Sequence, residues 1–260
     1  MTPNPRQIEL LDVVRAQGAL TVETLAARFG VTLQTVRRDV QRLADAGLLA
    51  RFHGGVRMPE AATENIAYRQ RQALQAEGKA RIGRAIARQV PEGCSLILNI
   101  GTTTEAVARA LLRHRGLRVI TNNLNVAAIL CDNPDCEVIV TGGAVRSRDR
   151  AIVGEAAVDF IRRFRVDIAL IGISGIEADG TLRDFDYREV EVTRAIIEHS
   201  REVWLAADGS KFNRTAMIEV ARLAQIHRLY TDLPPPASFV PLLAAAGVQC
   251  VVAEATEGEP

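Results

Sequence analysis

Val31-Thr32-Leu33-Gln34-Thr35-Val36-Arg37-Arg38-Asp39-Val40 places an apolar stripe and a row of polar side chains on one short helix. Thr32 is a natural N-cap: its side-chain oxygen accepts from the backbone N–H groups that a first helical turn leaves free, so the helix is expected to begin at Leu33. Val36, Val40 and Leu43 recur at helical spacing and define its buried face. Gln34, Thr35, Arg37, Arg38, Gln41 and Arg42 are left outside, and these are groups that read base edges and grip phosphates. On this stretch alone, a surface helix with solvated arginines is the competing reading.

The preceding stretch, Thr21-Val22-Glu23-Thr24-Leu25-Ala26-Ala27-Arg28-Phe29-Gly30, begins with a threonine cap, is expected to bury Leu25 and Phe29, and stops at a glycine. Two helices across the short turn Gly30-Val31-Thr32 form a helix-turn-helix, with the second as its recognition helix. Downstream, Gly47 supplies a stop, and Leu48 to Arg57 reads as two short strands around a turn, a wing that carries Arg51 and His53. Upstream, Gln7 to Gln17 is expected to be a helix that buries Ile8, Leu11 and Val14 and ends at Gly18.

The chain has 260 residues, 48% hydrophobic and 24% charged, which suits a small module joined to a larger globular domain and excludes extensive disorder. The net charge of +1 is unevenly spread: up to Arg57 there are eight arginines against five acidic residues, so a basic module precedes a slightly acidic remainder. No apolar run approaches membrane-spanning length and the first residues lead into an amphipathic helix, so a cytoplasmic protein is expected. Cys94, Cys131, Cys136 and Cys250 form no C-x-x-C pair; buried reduced thiols are expected, with no metal and no cofactor.

Residues 59–78 are only weakly periodic and read as a linker between a DNA-binding domain at 1–58 and a second domain at 79–260, although 67–74 has helical character. From Lys79 helix and strand patterns alternate. Ile82, Ala85, Ile86 and Val90 mark a helix; strand-like runs follow at 95–100, 117–121, 137–141, 166–173, 202–207, 228–231 and 248–253. Such alternation predicts an α/β fold, a mostly parallel sheet with helices on both faces.

Ligands of open α/β sheets collect beyond the carboxyl ends of strands. Three polar turns have that placement. Gly101-Thr102-Thr103-Thr104 precedes a helix expected to start near Glu105, and offers close backbone approach, hydroxyls and free N–H groups to an anion. Asn122 and Asn123 follow the next strand, and Gly142 and Gly143 lead to Arg146. Lys211, after another strand, brings an ammonium group to the same rim. Plain threonine caps, surface arginines and a solvated lysine are the alternative readings.

Thr32 to Val40 followed by Arg51-Phe52-His53-Gly54-Gly55 resembles the signature of the DeoR-type family of bacterial transcription regulators. Similar segments continue at Glu105 to Ala108, Thr121 to Ala127, Arg146 to Asp149, Leu170 to Ile176, Asp184 to Val190 and Thr231 to Pro236, so the resemblance runs from about Arg6 to about Val251. It implies a winged helix-turn-helix and a sensor and oligomerisation domain resembling sugar-phosphate isomerases. It further implies a homodimeric or homotetrameric repressor of glycerol-metabolism genes that binds double-stranded operator DNA and is released by a phosphorylated metabolite, expected to be glycerol 3-phosphate. The sequence departs from many relatives in one respect: Asn99 stands where they carry aspartate. An isomerase-like enzyme with a DNA-binding appendage is a second reading, with Asp186, Glu189 or Asp208 as its base, and a mere oligomerisation platform is a third.

Overall fold

The structure, a computed structural model, describes residues 4–17, 20–46, 48–52, 54–57 and 68–254. The chain divides into two compact units, residues 1–66 and 67–260. The expected glycine stops at Gly18 and Gly47 lie outside the described residues, as do His53 and positions 59–67 of the expected linker.

The first unit contains α1 (Pro5–Gln17), β1 (Leu20–Thr21), α2 (Val22–Phe29), α3 (Leu33–Asp45), β2 (Ala50–Phe52) and β3 (Gly55–Arg57). α2 is closed at both ends, since Thr21 Oγ1 accepts from Thr24 N and Gly30 adopts φ 61°, a left-handed conformation that favours glycine. Leu25 is fully buried as expected, whereas Phe29 is only half-buried. α3 begins at Leu33, with Thr32 Oγ1 accepting from Thr35 N, and Val36, Val40 and Leu43 point into the core. In α1 the buried face differs from the expected one: Gln7, Leu10, Leu11 and Val14 are inside, and Ile8 is 42% exposed. The reason is polar, because Gln7 Nε2 donates to the buried Asp39 of α3 at 2.8 Å and sets the rotation of the helix. β2 and β3 form the expected antiparallel wing, and β1 extends it by pairing Leu20 with Val56. Two residues are too few for an alternating pattern, so this strand left no trace in the sequence.

The second unit opens with α4 (Tyr68–Ala73) and α5 (Ala76–Ala87), so the end of the segment expected as a linker is helical and belongs to the packed domain. There follow β4 (Ser95–Leu98), α6 (Thr102–Ala110), β5 (Leu117–Thr121), α7 (Leu124–Leu130), β6 (Cys136–Val140), β7 (Ala144–Arg146), β8 (Ala151–Val153), α8 (Glu155–Ile161) and β9 (Val166–Ile171). The remainder is β10 (Gly175–Ile176), β11 (Thr181–Asp184), α9 (Tyr187–Glu198), β12 (Ser200–Ala206), β13 (Ile218–Arg222), β14 (Arg228–Thr231), α10 (Val240–Ala245) and β15 (Gln249–Val252). Seven strands form one sheet in the order β15-β14-β12-β9-β4-β5-β6, and every pairing in it is parallel. β7 with β8, and β10 with β11 and β13, make small antiparallel sheets that the sequence reading did not anticipate.

Alternation along the central strands divides the core. Ile97, Ala169, Ile171, Val203 and Leu205 face one layer with α8 and α9, while Leu96, Leu98, Ile168, Leu170, Trp204 and Ala206 face the other with α5 and α6. Each such valine, leucine or isoleucine, when fully buried, contributes about 1.5 to 3 kcal/mol, which is why a parallel sheet needs both faces covered. α5 and α6 approach so closely that a Cβ on Gly83 would lie 2.7 Å from the carbonyl oxygen of Ala106. Chain order reverses between β4 and β9, with later strands added outward on each side, and this switch point opens a crevice beyond their carboxyl ends.

Candidate nucleic-acid interface and effector site

In the first unit, α3 carries two polar faces. Gln34, Arg37 and Gln41 lie on one at helical spacing; Thr35, Arg38 and Arg42 lie on the next, and all are exposed except the half-buried Thr35. Thr35 shares a 2.9 Å hydroxyl–hydroxyl bond with Thr32. Gln41 is engaged at both ends, its Nε2 donating to Asp45 at 2.6 Å and its Oε1 accepting from Nη1 of Arg51, which ties the recognition helix to the wing. A shallow cleft beside the helix is lined by Arg6, Thr32, Gln34, Thr35, Arg38, Asp39 and Arg42. The arrangement is a winged helix-turn-helix with a basic, hydrogen-bonding surface.

In the second unit a cleft of about 510 Å³, counting the space open to solvent, occupies the switch point. Gly101, Thr102 and Thr103 form one wall, Gly172 to Ser174 after β9 form another, and Lys211 closes the rim. α6 starts at Thr102, three residues before the expected Glu105, because Gly101 adopts φ 143° and acts as N-cap. The threonines are therefore the first helical turn, whose N–H groups lack intrahelical acceptors. Thr104 is turned inward, with Oγ1 donating to the Gly101 carbonyl at 2.8 Å. Lys211 sits in a short 3-10 turn capped by the buried Asp208. Burial pushes its ammonium pKa down to about 8 against the pull of Asp208, with Arg214, Lys79 and Arg71 adding to the depression.

Three expected ligand residues have other duties. Asn122 is fully buried and its Nδ2 donates to the Ile152 carbonyl at 3.2 Å; Asn123 caps α7, its Oδ1 accepting from Asn125 N and Val126 N. Arg146 bonds Asp149 at 2.6 and 2.8 Å, Asp186 at 2.8 Å and Glu189 at 2.8 Å, so its guanidinium is already satisfied by three carboxylates. Burial alone would lower its pKa, but Asp149 and Glu189 hold it above the ordinary value. Gly142 and Gly143 do not line the cleft: they lead into β7, where a Cβ on Gly143 would meet Ile152 at 2.9 Å.

The sequence reading missed other cleft residues. Tyr68 and Arg71, from the segment expected as a linker, line it together with Ser174, Asp149, Asp184 and Glu189. Tyr68 donates to the buried Glu105 at 2.6 Å, and Arg71 reaches Asp149 at 3.7 Å. Burial and the charge of Asp184 push the Glu189 carboxyl up to about 8, against the pull of Arg146. Their helical spacing on α4 was the only signal that could have singled out Tyr68 and Arg71. Of the bases considered for an enzyme, Asp186 caps α9, Glu189 is tied to Arg146 and Asp208 caps the 3-10 turn. Asn99 supplies no charge; it is buried, donates to Thr193 Oγ1 at 2.9 Å and accepts from Ile100 N at 2.7 Å.

Cys94 is buried as expected, Cys136 and Cys250 are half-buried, and Cys131 is exposed; all four are free. Among the described residues no cluster of metal-binding side chains occurs, and no helix is long and apolar enough to cross a membrane.

A winged helix-turn-helix joined to a parallel α/β domain with a polar cleft at its switch point defines the class, and sequence comparison supplies the family. Residues 6–62 match the DeoR-like helix-turn-helix domain and residues 74–233 the DeoR C terminal sensor domain, and the chain belongs to the DeoR family of transcriptional repressors. Such proteins are regulators, not enzymes; the two domains imply operator DNA and a phosphorylated effector as partners.

Among relatives, the chain is 46% identical to the glycerol-3-phosphate regulon repressor of Escherichia coli (strain K12), over 96% of this chain and 98% of that one. It is 44% identical to the Haemophilus influenzae protein of the same name, over 90% and 91%, and 39% identical to the E. coli HTH-type transcriptional repressor CsqR, over 97% and 96%. In structure, ribose 5-phosphate isomerase A from Methanocaldococcus jannaschii overlaps 53% of this chain and about half of its own length (55%), with 14% identity and a TM-score of 0.40.

Proposed function

We propose that the chain represses genes of glycerol and glycerol 3-phosphate metabolism and is released from its operators by glycerol 3-phosphate. Residues 1–58 read DNA, and residues 79–260 sense the effector and join the copies of a cytoplasmic homodimer or homotetramer, with α4 contributing to the effector cleft. The observation that carries this reading is the polarity of the cleft. The first turn of α6 and the ammonium of Lys211 suit a phosphate, while Ser174, Asp184 and Glu189 offer hydrogen-bond partners for polyol hydroxyls. The names of the 46% and 44% identical relatives support this choice of effector.

DNA is read by Gln34, Thr35, Arg37, Arg38, Gln41, Arg42, Arg51 and His53, and two-fold symmetry places one such helix on each half-site of an inverted repeat. The effector weakens DNA binding only by its difference in affinity between the free and DNA-bound states.

The test is calorimetric titration of the full chain with glycerol 3-phosphate, glycerol, sugar phosphates and inorganic phosphate, followed by release from a duplex selected by the chain from a random pool. Glycerol 3-phosphate is expected to bind most tightly and to release the duplex. Tighter binding of another phosphorylated sugar or polyol would transfer the reading to that compound. In the same assay Arg37→Ala and Arg38→Ala are expected to weaken DNA binding; unchanged binding in both excludes α3 as the reader.

A further inference from the structure

The cleft beside α3 gathers three guanidinium groups, from Arg6, Arg38 and Arg42, around a single carboxylate, that of Asp39. Asp39 belongs to the recognition helix, yet it is buried and both its oxygens are taken, one by Arg6 Nε and the other by Gln7 Nε2, each at 2.8 Å. Gln7 is fixed in turn by a reciprocal pair with Asn4, its N–H donating to Asn4 Oδ1 at 2.9 Å and its Oε1 accepting from Asn4 N at 3.0 Å.

We propose that Arg6 contacts a phosphate of the DNA backbone, and that Asp39 is the positioning residue that holds its guanidinium beside Arg38 and Arg42 for that purpose. The contact comes from α1, outside the recognition helix and the wing.

Three features support the proposal. Arg6 meets Asp39 through Nε, and its side chain is 40% exposed while that of Asp39 is 3% exposed, so the pair is anchored on one side and open on the other. The terminal nitrogens of a guanidinium held in this way form a fork that fits phosphate oxygens. Second, one carboxylate cannot balance three arginines, and the excess charge in a cleft is offset when an anion enters. Third, Thr32 and Thr35 lie in the same cleft at the start of α3, where hydroxyls and a helix N-terminus favour the same kind of ligand. Asp39 thereby links the register of α1 to the recognition helix, so that phosphate grip and base reading move as one body.

The proposal rests on the DNA-binding reading, whose own failure would appear as a wild-type chain that selects no duplex. The full chain and its Arg6→Gln, Arg6→Lys and Asp39→Asn variants are titrated with the selected duplex over a series of KCl concentrations, and each variant is melted in parallel. Losing one phosphate contact lowers the slope of log K against log salt by about 0.9. Arg6→Gln is expected to show that loss, with affinity about ten-fold lower and lowered equally for duplexes of altered sequence. Arg6→Lys is expected to bind more weakly as well, because a lysine that pairs with Asp39 has no second fork to offer.

Asp39→Asn removes the one negative charge of the cleft lining but also the anchor, so the proposal predicts weaker binding where charge alone predicts tighter. Wild-type affinity and slope in Arg6→Gln overturn the proposal, as does a loss of affinity with unchanged slope, which marks the pair as purely structural. Tighter binding by folded Asp39→Asn overturns the positioning role. If that variant does not fold, the two Arg6 variants still decide the phosphate contact.

Discussion

Replacing Lys211 by alanine removes the one lysine that lines the cleft proposed to hold the effector. A hydrogen bond to a charged group contributes about 1.5 to 3 kcal/mol, so the affinity for glycerol 3-phosphate is expected to fall by about 10- to 150-fold. The pH dependence follows from the same side chain. Burial holds the ammonium pKa of the ligand-free protein down to about 8, so the charge is present below that pH and is lost as the pH rises through it.

Glu189 across the cleft, also pushed up to about 8, gains a negative charge over the same interval; Asp149, Asp184, Asp208, Arg71 and Lys79 also face the region. On the ligand side, the second ionisation of a phosphate monoester lies near 6. Wild-type affinity is therefore expected to rise from pH 5 to about 7 and to fall again above pH 8. Calorimetry of wild type, Lys211→Ala and Lys211→Arg at pH 7 and 9 measures this: the alanine variant loses most at pH 7, and arginine, charged throughout, keeps more of its affinity at pH 9 than wild type does. An alanine variant with wild-type affinity at pH 7 refutes the placement of the phosphate at this rim.

Asn123→Ala removes the cap of α7 and is expected to cost about 0.5 to 2 kcal/mol in thermal or urea unfolding while leaving effector affinity unchanged. Gly83→Ala improves helix propensity but drives a Cβ against the Ala106 carbonyl, so destabilisation by about 1 to 3 kcal/mol is expected; a gain in melting temperature would contradict the close approach of α5 and α6. Arg146→Ala leaves Asp149, Asp186 and Glu189 facing one another and is expected to cost about 3 to 5 kcal/mol. Arg146 pulls the Glu189 carboxyl down against burial, so without the guanidinium that carboxyl lies still further above its unfolded value, and the variant should recover more stability than wild type on going from pH 7.5 to 5.5.

Local patterns carried the architecture well. Thr32 as cap, Leu33 as first helical residue, and the strands at Leu117–Thr121 and Arg228–Thr231 were legible because capping chemistry and apolar runs are written within a few residues. Glycine and threonine likewise marked one wall of the cleft, although the threonines form the first turn of α6 and not a loop before it.

What could not be read was pairing across the chain. Arg146 resembles a phosphate ligand until Asp186 and Glu189, some forty residues later, are folded onto it. Asn122 and Asn123 look exposed in a polar turn, and only the antiparallel hairpin of β7 and β8 shows what buries them. Tyr68 and Arg71 lie in a stretch whose composition suggests a tether, and their part in the cleft depends on Glu105 and Asp149, well beyond any helical period. Ile8 was assigned to the core by spacing, but the buried Gln7–Asp39 bond outweighed that pattern.

The amide of Asn99 gives the hydrogen bonds behind the cleft a direction. Its Nδ2 donates to Thr193 Oγ1, and that hydroxyl in turn donates to the Glu189 carbonyl at 2.9 Å, so every proton in the row points towards α9. A carboxylate at position 99 has no proton to give, and Thr193 would have to turn its own proton back, leaving the Glu189 carbonyl without that donor. The row is polarised one way by a group that neither gains nor loses a proton at any pH at which the protein is folded. Position 99 thus adds no charge beside the cleft, and a ligand that arrives with its charge meets only the charged groups of the lining, Arg71, Asp149, Asp184, Glu189 and Lys211.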